Sequence, residues 1–312
     1  MSQTRGVPTV DAQNLGTDLH AFSKALGQAW TETGFVAVTN HGIDTTVIDS
    51  CIKVSRDFFA LPDVVKIKYR VVGGGGQRGY TPFGIETAKD ATLADQKEFW
   101  HVGRDTSGGV LSEKMPDNIW PEECPPFKEA CQTFYGAMDH LGRRLLSAVA
   151  LYLDQSPDHF ESRVSTGNSI LRLLHYPPPD MNNAGERAAA HEDINVITLL
   201  VGADQAGLEI LNRDGTWIPV HADADAIVCN VGDMLERLTN HVLPSTTHRV
   251  VRADGEGDDC SRYAAPFFLH FAPDVKIATL PNCITEQRPN RYPSAITAQT
   301  FLEQRLAEIG LT

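Results

Sequence analysis

The sequence predicts an α+β protein, with a core of antiparallel double sheet or jelly roll type and helices on its flanks. Three observations predict it. Amphipathic helical stripes stand at Asp18 to Thr33, after Asp44 and after Pro126, and from Ser169 onward short β-rich runs follow one another at close spacing with no helices between them. Asp214-Gly215, lying between two of those runs, is the turn pair that closes a two-residue hairpin.

Asp18 to Thr33 places Leu19, Phe22, Leu26, Ala29 and Trp30 on one helical face, and Gly34 stands where a C-terminal cap belongs. Phe35 to Thr39 reads as a strand. Asp44 can cap a second helix carrying Val47, Ile48, Cys51, Ile52, Phe58 and Phe59, which Pro62 closes or restarts. Val71 to Gly84 reads as loop. Its Gly74-Gly75-Gly76-Gln77-Arg78-Gly79 satisfies G-x-G-x-x-G, but Tyr80-Thr81-Pro82 follows instead of the helix a dinucleotide site requires. After Pro126, Phe127, Cys131, Phe134, Met138, Leu141, Leu145, Val149 and Tyr152 mark a long helix whose stripe is core. Strands are expected at Ser169–Tyr176, Ile194–Val201, Gly207–Leu211, Trp217–Val220, Ala226–Asn230, His248–Arg252 and Ala264–Phe271, then a last helix from Ser294 to Ile309. The expected organisation is a helix/strand region over 1–125 packed on a core over 126–312, together one compact unit.

Composition narrows the partners. With 312 residues, 42% of them hydrophobic, the chain can bury a large core without staples. A formal charge of −13 argues against a nucleic-acid or anionic-membrane surface, which needs basic residues to neutralise phosphates. No run approaches the roughly 18 apolar residues of a membrane span, and the N-terminus lacks a signal-like apolar core. The expectation is therefore a cytoplasmic protein acting on small molecules, a monomer by default. Six scattered cysteines with no Cys-x-x-Cys read as reduced thiols.

His191, Asp193 and His248 carry the chemistry. Residues two apart on a strand share a face, so a strand through His191-Glu192-Asp193 would point one imidazole and one carboxylate into a cavity, with Glu192 opposite. His248 lies in another strand-like run that a sheet could bring alongside. Two imidazoles and a carboxylate on one face of an iron(II) ion leave positions open for chemistry. The same ligands with a bound water would suit zinc and a hydrolase, and His221 and His241 compete with His248 on spacing alone.

Several ordered motifs resemble the iron(II)- and 2-oxoglutarate-dependent dioxygenases of the isopenicillin N synthase-like family. They are Gly34-Phe35-Val36-Ala37-Val38-Thr39-Asn40-His41-Gly42-Ile43, Phe58-Phe59-Ala60-Leu61-Pro62, Arg78-Gly79-Tyr80-Thr81-Pro82, Asp95-Gln96-Lys97-Glu98-Phe99-Trp100, His191-Glu192-Asp193, and Asn230 to Asn240 leading to His248. The resemblance implies a double-stranded β-helix core with a long helix packed on the barrel. It selects His248 and iron, and it implies that 2-oxoglutarate and O2 become succinate and CO2 while a small organic metabolite is oxidised, most simply by hydroxylation. The family's Arg-x-Ser falls on Arg262-Tyr263-Ala264. Arg262 matches the guanidinium that forks onto the distal carboxylate of 2-oxoglutarate, Tyr176 matches a tyrosine on the same carboxylate, and Ala264 lacks the hydroxyl.

Strand alternation adds two candidates for substrate. Arg172 lies four residues before Tyr176, and Phe268 six after Arg262, so unbroken strands turn all four toward the cavity. Pro266 is the residue that would disturb that phase. A cleft with one arginine and one aromatic suits a small organic acid or an aromatic metabolite. Two other readings stand beside this one: an iron oxidase of the same fold that does not use 2-oxoglutarate, and a non-catalytic jelly-roll binding protein.

Overall fold

The computed structural model describes residues 6–73, 76–85, 95–105, 115–178, 187–202, 207–251 and 261–308. Gly74, Gly75, Arg252, Cys260 and Ile309, which enter the expectations above, lie outside the described residues.

In the first hundred residues the order is β1 (Thr9–Asp11), α1 (Asn14–Thr17), α2 (Leu19–Thr33), β2 (Phe35–Thr39), α3 (Thr45–Phe59), α4 (Asp63–Lys66), β3 (Gly79–Thr81) and β4 (Glu98–Gly103). Asp18 and Asp44 cap as their positions demand, accepting from the Ala21 and Thr46 amides at 3.0 and 2.9 Å. Gly34 takes φ 71°, the left-handed cap that a side chain resists. Next come α5 (Phe127–Tyr152), α6 (Glu161–Val164), β5 (Ile170–Tyr176), β6 (Ala188–His191), β7 (Ile197–Val201), β8 (Leu208–Leu211), β9 (Trp217–Pro219) and β10 (Ile227–Val231). The chain ends with α7 (Asp233–Leu238), β11 (His248–Val250), β12 (Arg262–Leu269), β13 (Lys276–Ile277), β14 (Ile296–Thr297) and α8 (Ala298–Glu308).

Eight strands form one sheet in the order β1-β2-β10-β7-β12-β5-β4-β3, and four form a second, β6-β11-β8-β9. Strand alternation gives the large sheet two different faces. Val36, Val38, Cys229, Leu199, Phe267, Leu171, Leu173, Trp100 and Val102 point to one side, where they join the main core with α2, α3 and α5. Gly142 lets α5 lie close on this face, since a Cβ there would stand 2.6 Å from Leu269 Cδ1. Each fully buried Phe or Leu in that layer contributes about 1.5–3 kcal/mol. The other face carries Phe35, Val228 and Leu200, and these meet Ala188, Leu208, Ile210 and Val250 of the second sheet, with Val220 just past β9. This second face is the one turned toward the smaller sheet.

Several expectations need correction. The strand expected over Ile194–Val201 begins only at Ile197, because the chain turns between His191 and Val196. Asp193 therefore does not share a strand with His191. The stretch expected as loop over Val71–Gly84 contains β3, three residues whose strand character comes from pairing with β4. Among the described residues no helix lies between the glycine motif and β4. Pro62 restarts the chain as α4, and the last helix begins at Ala298, four residues later than expected. Pro266 does not disturb β12: its pairing with β5 and β7 keeps one register from Arg262 to Leu269.

Candidate active site

His191 ends β6 and His248 opens β11, and the two residues face one another across the second sheet. Asp193 enters from the turn between β6 and β7. Its Oδ1 lies 3.9 Å from His191 Nε2 and 3.8 Å from His248 Nε2, and all three ligand atoms fall within 4.8 Å of one another. Among the described residues this is the one group of at least three His, Cys, Asp or Glu side chains so arranged.

Each ligand is held by its far side. His191 Nδ1–H donates to the Ala189 carbonyl at 2.7 Å and His248 Nδ1–H to the Thr246 carbonyl at 3.0 Å, which leaves both Nε2 lone pairs turned to the shared space. Asp193 Oδ2 accepts from Thr198 Oγ1 at 2.5 Å and from Asn230 Nδ2 at 2.8 Å, so Oδ1 is the atom turned inward. The turn itself is clamped from behind. The Asp233 and Met234 amides, where β10 runs into α7, donate to the carbonyls of Asp193 and Asn195, and a side chain at Gly232 would overlap Asn195.

The electrostatics agree with a cation site. Burial raises the cost of the Asp193 charge, but the His248 and His191 imidazoles, with Asn230 and Thr198, outweigh it and hold the carboxyl below its usual range. Burial and then the nearby His248 push His191 down to about 4, although about a third of its side chain (34%) still reaches solvent. Two imidazole Nε2 atoms and one carboxylate oxygen converge on one point. That donor set fits a divalent metal ion with borderline nitrogen and hard oxygen preference.

Arg262 and Tyr176 are directly paired across β12 and β5 and both are buried. The guanidinium carbon lies 6.0 Å from the Tyr176 ring centroid. At Gly207, φ 111°, a Cβ would overlap the Val251 carbonyl, and Arg262 Nη1 lies just beyond at 3.4 Å. Ala264 packs with Phe99, Leu174 and Tyr176 and brings no hydroxyl to the pocket. Arg172 and Phe268 also come together: the guanidinium carbon sits 4.2 Å from the Phe99 centroid and 5.3 Å from that of Phe268. Arg172, Tyr176, Arg262 and Phe268 thus share one face of the large sheet. The competitors do not join them. His241 is engaged by Tyr292 at 2.6 Å and Glu236 at 3.2 Å, and His221 lines a separate hollow with Thr39 and Asp223.

Sequence reasoning missed Thr198, Asn230 and His101. Thr198 and Asn230 orient Asp193, and their signal was their phase on β7 and β10, pairing as direct neighbours. His101 Nε2 accepts from Arg172 Nε at 2.6 Å, while its Nδ1–H donates to the Gly76 carbonyl at 2.5 Å. Alternation along Phe99-Trp100-His101 would have found it.

Comparison with known proteins agrees with this geometry. Residues 7–123 match the non-haem dioxygenase in morphine synthesis N-terminal family, and residues 167–271 match the 2OG-Fe(II) oxygenase superfamily. A 2-oxoglutarate-dependent dioxygenase of Didymella fabae is 32% identical over 81% of this chain and 80% of its own length. A proline hydroxylase of Petromyces alliaceus is 32% identical over 92% and 93%. Among solved structures, a 2OG-Fe(II) oxygenase family protein from Caulobacter crescentus superposes with a TM-score of 0.90 at 47% identity, covering 98% of this chain and 100% of that one. A full-length Neurospora crassa protein solved in complex with alpha-KG and thymine gives 0.86 at 26%, covering 98% of each chain.

Proposed function

Because the chain belongs to the 2OG-Fe(II) oxygenase superfamily and is a 2-oxoglutarate-dependent dioxygenase, we propose that it hydroxylates a small organic metabolite at iron(II) held by His191, Asp193 and His248. The observation that carries this is the convergence of two Nε2 atoms and Asp193 Oδ1, each fixed by a hydrogen bond on its far side. Bound iron and 2-oxoglutarate supply the oxygen-activating chemistry, with succinate and CO2 as co-products of O2 use. The chain's own residues supply placement. Arg262 forks onto the distal carboxylate of 2-oxoglutarate, and Tyr176 beside it stands in for part of the contact that Ala264 lacks. Thr198 and Asn230 keep Asp193 from turning. Arg172 and Phe268, with Phe99, hold the substrate, a small organic acid or a flat aromatic.

The same reading takes the two sheets as the walls of a double-stranded β-helix, with the helix/strand region 1–125, whose β1–β4 extend the large sheet at both ends, packed on the 126–312 core. It takes the protein as cytoplasmic and monomeric. Among the described residues, no helix is long and apolar enough to cross a membrane. The test is a screen of small acids and aromatics with Fe(II), 2-oxoglutarate and O2, following succinate and the product mass. A product heavier by one oxygen, formed in proportion to succinate and lost in His191→Ala, supports hydroxylation. A product lighter by two hydrogens would replace hydroxylation with desaturation or ring closure.

A further inference from the structure

Arg78, in the Arg-Gly-Tyr motif that the triad and Arg262 leave unused, is only 2% exposed. Its guanidinium reaches two neutral oxygens, the Gln77 carbonyl at 2.8 Å and Asn168 Oδ1 at 3.2 Å, and its buried Nε has no hydrogen-bond partner. Among the described residues no carboxylate lies within ion-pair distance of it; Asp117 acts on it only through space. The buried lysines Lys66 and Lys97 are each matched, by Glu98 and by Asp95. Burial draws Arg78 down to about 10, so it remains charged near neutral pH. A buried charge without an opposite partner is costly, and a bound anion removes that cost.

Its position says which anion. A side chain at Gly103 would overlap the Arg78 guanidinium, so the guanidinium fills the side-chain space of a β4 residue in phase with Phe99 and His101. That is the face that also carries Arg172 and Phe268. Gly103 pairs with Ile170, Ile170 with Phe268, and Phe268 with Thr198, the residue that holds Asp193. Arg78 therefore stands at the metal end of the sheet. Arg262 lies six residues back along β12 from Phe268, roughly 20 Å at strand spacing. An anion on Arg78 is accordingly not the distal carboxylate of 2-oxoglutarate. His101, which receives the Arg172 Nε–H, is two residues from Gly103 on β4, so a second guanidinium borders the same end.

We propose that Arg78, with Asn168 beside it, is a substrate-binding residue that pairs with a carboxylate of the substrate, making this a dioxygenase of organic acids. The inference rests on the dioxygenase reading for the identity of the site. Phe99 and Phe268 flank Arg172 and give a flat apolar body a place to lie.

The test uses the anaerobic Fe(II)- and 2-oxoglutarate-saturated enzyme, titrated calorimetrically with acetate, benzoate and phthalate and with the corresponding neutral amides. At least one acid binds about tenfold or more tightly than its amide, and Arg78→Met removes that preference while leaving 2-oxoglutarate affinity and the visible charge-transfer band unchanged. Arg78→Lys keeps part of it. If Arg78→Met fails to fold, Asn168→Asp serves instead, because it sets a carboxylate against the guanidinium and satisfies it internally, which abolishes the acid preference. No acid preferred by the parent, or a preference retained in folded Arg78→Met or in Asn168→Asp, overturns the proposal. A parent without the band overturns the dioxygenase reading itself, a separate outcome.

Discussion

Replacing Thr198 with valine keeps a β-branched side chain of nearly the same size on β7 and deletes one oxygen. That oxygen makes the 2.5 Å bond to Asp193 Oδ2, and it also accepts from Asn195 Nδ2 at 2.9 Å. Asn195 keeps the Ile197 carbonyl and Asp193 keeps Asn230, so each loses one of two partners. A hydrogen bond to a buried charge is worth about 1.5–3 kcal/mol. Part of that loss falls on folding, and part falls on metal binding, because a carboxylate held by one donor turns more freely. Removing a partner that orients a metal ligand weakens the metal by about 10–100-fold. The assay is an anaerobic Fe(II) titration against a competing chelator, with urea unfolding of the metal-free protein run in parallel. Expected are a weaker iron affinity in that range and a loss of stability of about 1–2 kcal/mol. A folded Thr198→Val protein binding iron within about twofold of the parent would refute the claim that this hydroxyl orients Asp193.

Other predictions bear on different parts of the molecule. Gly34→Ala forces a side chain into a φ of 71° and against Thr246 and the Pro244 carbonyl, so it destabilises by more than about 1 kcal/mol in urea unfolding and weakens iron binding, because the Thr246 carbonyl orients His248. Ala264→Ser restores the missing hydroxyl beside Arg262 and tightens 2-oxoglutarate by up to about tenfold by calorimetry; unchanged or weaker binding contradicts its placement at the distal carboxylate. Acid dependence follows from opposed groups in the metal-free protein. Burial holds His191 and His270 down at about 4, so between there and the ordinary histidine range the unfolded chain binds more protons and acidification destabilises. Burial raises Asp233 to about 6 and Glu236 to about 7, so over the same window the folded chain binds more protons and acidification stabilises. His159 and His241, also held below the usual range by burial, add to the destabilising side, and Glu236→Gln strengthens it: its stability falls on acidification by about one additional proton's slope, whereas a slope equal to the parent's would remove Glu236 from the scheme.

Much of the fold was legible because its signals are local. Asp18, Asp44 and Gly34 sit at helix ends that their own backbone chemistry defines, and the stripe from Phe127 to Tyr152 repeats at helical spacing regardless of what packs on it. Strand phase likewise turned Arg172, Tyr176, Arg262 and Phe268 to one face, because the β5–β12 pairing never slips. The triad was found for a partly mistaken reason. A strand through Asp193 gave the correct neighbours, but a turn clamped by α7 delivers the carboxylate, and that clamp joins backbone atoms some forty residues apart. No local pattern encodes such a contact. β3 stayed hidden for a related reason: three residues that begin at a positive-φ Gly79 carry too little signal until β4 pairs with them. Arg78 was visible as part of a motif, but burial without a carboxylate is a property of the folded chain alone.

The central claim is that His191, Asp193 and His248 hold iron while Arg262 holds 2-oxoglutarate. Anaerobic addition of Fe(II) and then 2-oxoglutarate, watched for the visible metal-to-ligand charge-transfer band, tests it most directly. The account predicts the band in the parent chain, its loss in His191→Ala, and its appearance in Arg262→Ala only at 2-oxoglutarate concentrations at least about tenfold higher. A parent chain with no band, or a His191→Ala protein that keeps the parent's band, would contradict it.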